Sequence, residues 1–227
     1  MDKTPVGTSR TTRTEAFAQG YDPSLTDRFG VWLSALQIRR WVRSFAGKRV
    51  ADVGCGFHAS FARTILAEAA AVTLVDVALA DDLKRHPGVR AVEGALPAAL
   101  APLADGSLDV VMAISVIEHV WDPLGTLRQI HRLLAPGGVC LINVPSWRGK
   151  RYLELSAFKL GFSPKSEMED HKMYYDVRDL WPLLVQAGFM PSRIQCFTHK
   201  LGLNTFAACT KGDEAGAAPS AGAAARP

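Results

Sequence analysis

The chain has 227 residues, 48% of them apolar, and a formal net charge of +4. That is enough for one α/β domain of about 150–200 residues with tails, and so mild a charge does not by itself point to a polyanionic partner. No apolar run reaches the roughly 18 residues of a membrane span. Met1–Gly20 is polar and threonine-rich, without the apolar core of a secretory signal, so a cytoplasmic protein with no membrane association is expected. Cys55, Cys140, Cys196 and Cys209 are scattered singly with no Cys-x-x-Cys pair. This excludes a zinc knuckle and a thioredoxin-like site, and fits small core residues in a reducing compartment.

In chain order, residues 1–20 are expected to be a disordered tail, and 212–227, rich in Ala, Gly, Pro and Ser, another. One domain is left, at 21–211. Pro23–Phe45 is predicted helical, with a broad apolar stripe of Leu25, Phe29, Trp32, Leu33, Leu36, Ile38 and Val42, and would pack across the core or hang over its open edge. Val50–Val53 is a short buried strand, and Ala59–Ala70 a small-residue helix. Val72-Thr73-Leu74-Val75-Asp76 is a second strand, which makes a right-handed βαβ unit. Val89–Val92 is a third strand, Leu108–Ile114 a central parallel one. Asp122-Pro123 is the N-cap and first turn of a helix with Leu124, Leu127, Ile130, Leu133 and Leu134 on its buried face, ended by Pro136-Gly137-Gly138. Val139–Val144 is the fifth strand.

From 145 to 176 the pattern is irregular. Arg148–Leu160 is expected to be helical. Ser163–Tyr175 is polar and aromatic, either a substrate lid beside the ligand edge or a surface loop. Val177–Ala187 is a helix, and Phe189–Thr198 and Leu203–Thr210 are a closing strand pair. Two arginine clusters, Arg39/Arg40/Arg43 and Arg148/Lys150/Arg151, would either meet phosphate or acidic substrates or form solvated faces.

Strands alternating with helices imply a doubly wound α/β sheet, which binds ligands beyond the C-terminal strand ends. Asp52–Gly56, Asp76, Ala95-Leu96 and Ser115–His119 all fall on that edge. Gly54 and Gly56 permit close backbone approach and the φ values of a tight turn, and the helix start behind them favours an anionic or polar ligand. Packing alone would also explain a lone Gly-x-Gly. Asp76, twenty residues after Gly56, is placed for two ribose hydroxyls; it could equally cap the next helix.

These blocks resemble the class I S-adenosylmethionine-dependent methyltransferases. Val50-Ala51-Asp52-Val53-Gly54-Cys55-Gly56 is similar to their first motif and Leu74-Val75-Asp76-Val77 to their second-strand acid. Ser107–Val111, Val116-Ile117-Glu118-His119-Val120 and Leu133-Leu134-Ala135-Pro136-Gly137-Gly138 are similar to later blocks. The likeness runs from about Lys48 to Phe206. It implies a Rossmann-like, mostly parallel seven-stranded sheet with an antiparallel C-terminal hairpin, S-adenosyl-L-methionine as cofactor, and methylation of an O or N atom of a small molecule. By this resemblance Asp52, Val53, Gly54, Cys55 and Gly56 line the methionine part, with Asp52 near its ammonium. Asp76 and Val77 lie at the ribose, Ala95 and Leu96 at the adenine, and Ile114 and Ser115 flank the sulfonium.

Two departures stand out. His58 replaces the third motif glycine, and Gly94-Ala95-Leu96 lacks the acid many members place near the adenine amine. For a base, His119 is the first candidate and His171 the second, although a histidine at a helix start can simply bond backbone. Some relatives hold a divalent metal with Glu-x-x-Glu-His. Ser115 occupies the first acidic position here, so no metal is expected, although Glu118, His119 and His171 remain a conceivable set.

Three other functions fit parts of the pattern. Gly54-x-Gly56-x-x-Ala59 with Asp76 also suits an NAD-dependent oxidoreductase. A basic chain of this fold could methylate RNA, but no added RNA-binding domain or aromatic-basic platform is visible, so a small-molecule acceptor is expected over nucleic acid. A non-catalytic cofactor-binding module is the third. Oligomeric state is left open.

Overall fold

The computed structural model describes residues 15–155 and 171–213. Five strands are mutually parallel: β1 (Arg49–Val53), β2 (Ala71–Asp76), β3 (Val89–Glu93), β4 (Leu108–Ile114) and β5 (Leu134–Pro145). β6 (Ile194–His199) and β7 (Asn204–Thr210) close the sheet, β7 antiparallel to both β5 and β6. The strand order is β3-β2-β1-β4-β5-β7-β6. The helices are α1 (Leu25–Trp41), α2 (Ser60–Arg63), α3 (Asp81–Arg85), α4 (Pro123–Leu133), α5 (Trp147–Leu155) and α6 (Val177–Gln186).

The near-continuous apolar strands are explained by burial of both sheet faces. Successive side chains alternate between faces. Ala51, Val53, Val111, Ala113, Cys140 and Ile142 therefore enter one core with Leu127 and Ile130 of α4 and Leu180 and Leu184 of α6. Val50, Val110, Met112 and Leu141 enter the other, with Ile38 of α1, Phe45 and Ala62 of α2.

Several elements differ from the sequence reading. α1 is capped by Ser24, whose hydroxyl accepts from Asp27 N–H. Its apolar stripe divides: Leu25 is 83% exposed, Phe29 58%, Trp32 53% and Leu36 50%, whereas Ile38 and Val42 are buried, together with Ser34. The helix rests on its C-terminal half, where Ile38 and the following Val42 join the core. The helix read at 59–70 is real only over α2; Ala59 takes a left-handed φ of 44° and turns follow Arg63. β5 starts at Leu134 rather than after Pro136-Gly137-Gly138, because Leu134 already pairs with Leu108 before a register shift. The helix expected at 148–160 is seen as α5, and the rest of that stretch lies outside the described residues, as does Ser163–Asp170 of the proposed lid. The described part of the expected N-terminal tail is packed: Ala16 and Ala18 are buried, and Phe57 N–H donates to Phe17 O at 2.9 Å.

α4 follows expectation closely. Asp122 Oδ1 accepts from Gly125 N–H at 2.8 Å, with Pro123 in the first turn. Arg132 on this helix donates to Leu100 O at 3.0 Å and Leu103 O at 2.8 Å and pairs with Asp105. It thereby ties α4 to the crossover before β4.

The parallel register places the C-terminal ends of β1, β2, β4 and β5 on one edge. Pro145 pairs with Asn204, and Asn204 with His199, so the β6–β7 turn reaches the same edge from the antiparallel side.

Candidate active site

The turn after β1 is built around two glycines with positive φ, Gly54 at 69° and Gly56 at 74°. Gly54 N–H donates to Val75 O at 2.6 Å, anchoring the turn to β2. A Cβ on Gly54 would lie 2.2 Å from Cγ2 of Val116, and one on Gly56 3.3 Å from Phe17 O. Both positions demand glycine on grounds of space as well as φ, and both are approached by parts of this chain. Val116 stands beyond the end of β4, and Phe17 comes from the segment before α1.

Asp76, at the end of β2, closes the cradle. Its Oδ2 accepts from Gly56 N–H at 2.8 Å and its Oδ1 from Val77 N–H at 2.7 Å. The sequence-predicted pair of acid and glycine turn is therefore in direct contact. Gly94 N–H donates to Asp76 O at 2.9 Å, which draws the turn carrying Ala95 and Leu96 to the same place. Ala95 is exposed and Leu96 half-buried there, and the Leu96–Pro97 bond is cis.

Asp52 is 6% exposed within the sheet. Burial, and secondarily the charge of Asp76, push its carboxyl up to about 7, and no described cation offsets them. The thiol of Cys55 is also raised well above its usual range, first by burial, then by the charges of Asp52 and Asp76. Val53 is wholly buried, so only its backbone is available to a ligand, and Val77 is half-buried at the rim.

At the exit of β4, Ile114 is half-buried and Ser115 is exposed with a φ of 58°. A left-handed serine is a strained conformation, and such strain collects at ligand sites. Ser115 N–H donates to Asn143 O at 2.7 Å, which fixes the bend against β5. A 3-10 turn over Ile117–His119 follows, in which Glu118 is 1% exposed.

The two predicted histidines meet. His119 and His171 have ring centroids 4.8 Å apart, and His171 Nδ1 lies 3.0 Å from the hydroxyl of Tyr174. Lys172 N–H donates to Glu118 O at 2.7 Å, pinning the segment after the undescribed stretch onto the β4 exit. One donor atom from each of Glu118, His119 and His171 lies within 4.8 Å of the others. Burial, followed by the charges of Glu118 and Asp179, raises Tyr175 to about 12, so it stays a neutral phenol.

Sequence reasoning missed Phe17, which lay in a stretch read as tail and carries no motif. It also gave no role to Val116, although that residue sits inside a quoted block; only the fold brings it onto Gly54.

The pattern of strands, glycine turn and paired acids has clear counterparts. The family model described as a methyltransferase domain matches residues 25–191. A probable S-adenosylmethionine-dependent methyltransferase of Mycolicibacterium smegmatis is 30% identical over 170 residues, covering 73% of this chain and 61% of that protein. A ubiquinone biosynthesis O-methyltransferase of Neisseria meningitidis serogroup A is 29% identical over 178 residues, 74% of each chain. This chain spans 61% of the Mycolicibacterium relative's length and 48% of that of a Mycobacterium tuberculosis relative. Among solved structures, the putative methyltransferase bound to the Haloferax volcanii Trm112 activator shares the fold at a TM-score of 0.62 and 13% identity, covering 82% of this chain and 93% of that one. Haemonchus contortus phosphoethanolamine N-methyltransferase 2 does so at 0.57 and 17%, covering 81% and 54%. The seven-stranded order with its antiparallel β7 is the shared architecture, and no described helix is long and apolar enough to cross a membrane. By its sequence, its sheet and its matched length, this chain belongs to the class I S-adenosylmethionine-dependent methyltransferases.

Proposed function

We propose that this chain transfers a methyl group from S-adenosyl-L-methionine to an oxygen or nitrogen atom of a small molecule. The observation that carries this reading is the contact of Asp76 with Gly56, with the buried Asp52 carboxylate beside it. The residues fit the cofactor. Asp76 would take the ribose hydroxyls, with Val77 next to it. The backbone of Val53 to Gly56 would line the methionine part, with Cys55 facing it. Asp52, raised by burial and lacking a cation, would receive the ammonium. Ala95 and Leu96 would meet the adenine, and Ile114 and Ser115 the sulfonium.

The cofactor supplies an already activated methyl group, so the chain's task is to hold the acceptor in line and to exclude water. His119, with His171 behind it, would take the proton of a hydroxyl or ammonium acceptor. The contact of His171 with Tyr174 would hold the second imidazole in place.

A second reading of the same cluster has a specific observation in its favour. The donor atoms of Glu118, His119 and His171 are close enough to grip one divalent cation, which would orient an acceptor hydroxyl. Homologues named as O-methyltransferases and solved N-methyltransferases share the fold, so both acceptor atoms remain in view.

Calorimetry on the full chain tests the reading. S-adenosylhomocysteine should bind in the micromolar range and NADH should not; the reverse pattern would overturn it. His119→Ala should lower kcat about a hundredfold or more while sparing cofactor affinity. If activity is lost on chelation and returns with added divalent metal, the cation reading is correct; indifference to chelator leaves His119 as the base.

A further inference from the structure

Next to the histidine pair, the same sheet edge holds a concavity that methyl transfer as described does not use. It is a cleft of about 840 Å³ lined by Arg148, Arg178, His199 and Lys200, with Asp176 and Gly202 between them. Asp176 is its one acid. Its Oδ1 accepts from Trp147 N–H at 3.2 Å, and its Oδ2 lies 4.0 Å from Arg178. Among the described residues no carboxylate is within ion-pair distance of Arg148 or Lys200. The cleft therefore gathers more positive charge than it neutralises.

The backbone supports a built site. Lys200 and Leu201 take left-handed φ values of 49° and 59°, followed by Gly202 at 84°. Two successive strained non-glycine residues persist only where their surroundings hold them. Ser146 does this: its hydroxyl donates to Gly202 O at 2.7 Å and its N–H to Leu203 O at 3.0 Å. Gly149 of α5 lies so close that a Cβ there would sit 2.2 Å from Leu203 O. The Lys200 amine tucks under α1, 3.7 Å from where Gly30 would carry a Cβ. Burial lowers it to about 8, against the charge of Glu118. That interaction also ties the cleft electrostatically to the histidine cluster.

Strand spacing sets the distance. The sulfonium-side residues leave β4, and the cleft opens at the end of β6 and the β6–β7 turn, two to three strands away across β5 and β7. That separation is about 10–14 Å.

We propose that this cleft seats an anionic group, a carboxylate or a phosphate, of the methyl acceptor, held by the guanidinium forks of Arg148 and Arg178 and by Lys200. It follows that the acceptor is elongated, with its anion about 10–14 Å from the reacting atom. The cleft's affinity for an anion stands on its own geometry; the word acceptor rests on the methyl-transfer reading. Planar guanidinium groups match both anions bidentately, so the structure names the shared chemistry and the probes separate the two.

The test titrates the full chain with phenyl phosphate, benzoate and neutral benzyl alcohol, following heat. Saturable binding is expected for at least one anion and not for the alcohol, and the preferred anion identifies the acceptor's group. Arg148→Gln and Lys200→Met should each weaken that binding about tenfold or more, while Lys200→Arg retains it. S-adenosylhomocysteine affinity should be the same in all variants, which also reports that they are folded. No saturable anion binding by the wild-type chain, or undiminished affinity in both Arg148→Gln and Lys200→Met, overturns the proposal. Anion binding by a chain that fails to bind S-adenosylhomocysteine supports the cleft and removes the cofactor reading instead.

Discussion

Asp52→Asn should flatten the pH dependence of cofactor binding and stabilise the free protein. In the free chain the Asp52 carboxyl is raised from 3.8 to about 7 by burial and by Asp76. A shift of about three units corresponds to about 4 kcal/mol. The sign follows from linkage. The unfolded chain loses this proton near 3.8 and the folded chain near 7, so stability is greatest at low pH and declines as pH rises through about 7. At pH 8 the ionised group opposes folding by up to about 4 kcal/mol. Asparagine cannot ionise, so the variant should melt several degrees higher at pH 8 and no higher at pH 4. Binding has the opposite dependence. A cofactor ammonium favours the carboxylate, so below pH 7 it must expel a proton, and affinity should weaken by up to tenfold per pH unit; above that it should level off. Calorimetry with S-adenosylhomocysteine between pH 5.5 and 7.5, in two buffers of different ionisation enthalpy, counts the released proton directly. A wild-type affinity independent of pH, or an Asp52→Asn variant that keeps the full slope, would refute the placement of the ammonium at Asp52.

Two further substitutions probe the scaffold. Gly54→Ala puts a methyl 2.2 Å from Val116 in a left-handed backbone; it should cost about 2–4 kcal/mol in chemical denaturation and abolish S-adenosylhomocysteine binding. Adding Val116→Ala should recover part of the stability but not the φ strain. Arg132→Met leaves Leu103 O without its side-chain donor and Leu100 O with only the Leu103 N–H; the denaturation midpoint should fall by the equivalent of about 1–2 kcal/mol while S-adenosylhomocysteine affinity is unchanged.

The half of the edge proposed for the cofactor was legible because its signals are local. Val50–Val53, the glycines and Asp76 sit within one βαβ unit, where short spacing and chain handedness leave little freedom. The Asp122 cap and the central β4 run were readable for the same reason. The half proposed for the acceptor was not, since it is assembled across long separations. Glu118 meets Lys172, Ser146 holds Gly202, and Lys200 lies under Gly30, none of which has a periodicity to detect. α1 shows the limit of hydrophobic patterning. Leu25, Phe29, Trp32 and Leu36 form a proper helical stripe, but periodicity says only that a face is apolar, not which way it points. Phe17 failed for a simpler reason: a polar, threonine-rich neighbourhood hid a short stretch that packs through its backbone and two alanines.

One consequence concerns self-damage. A sulfonium donor is an alkylating agent, and the glycine turn holds a cysteine between its two glycines. Thiolates, not thiols, attack electrophilic carbon. The dry surroundings of Cys55 and its two acidic neighbours keep that sulfur protonated. The acids proposed to grip the cofactor would thus also protect the enzyme from being methylated by it.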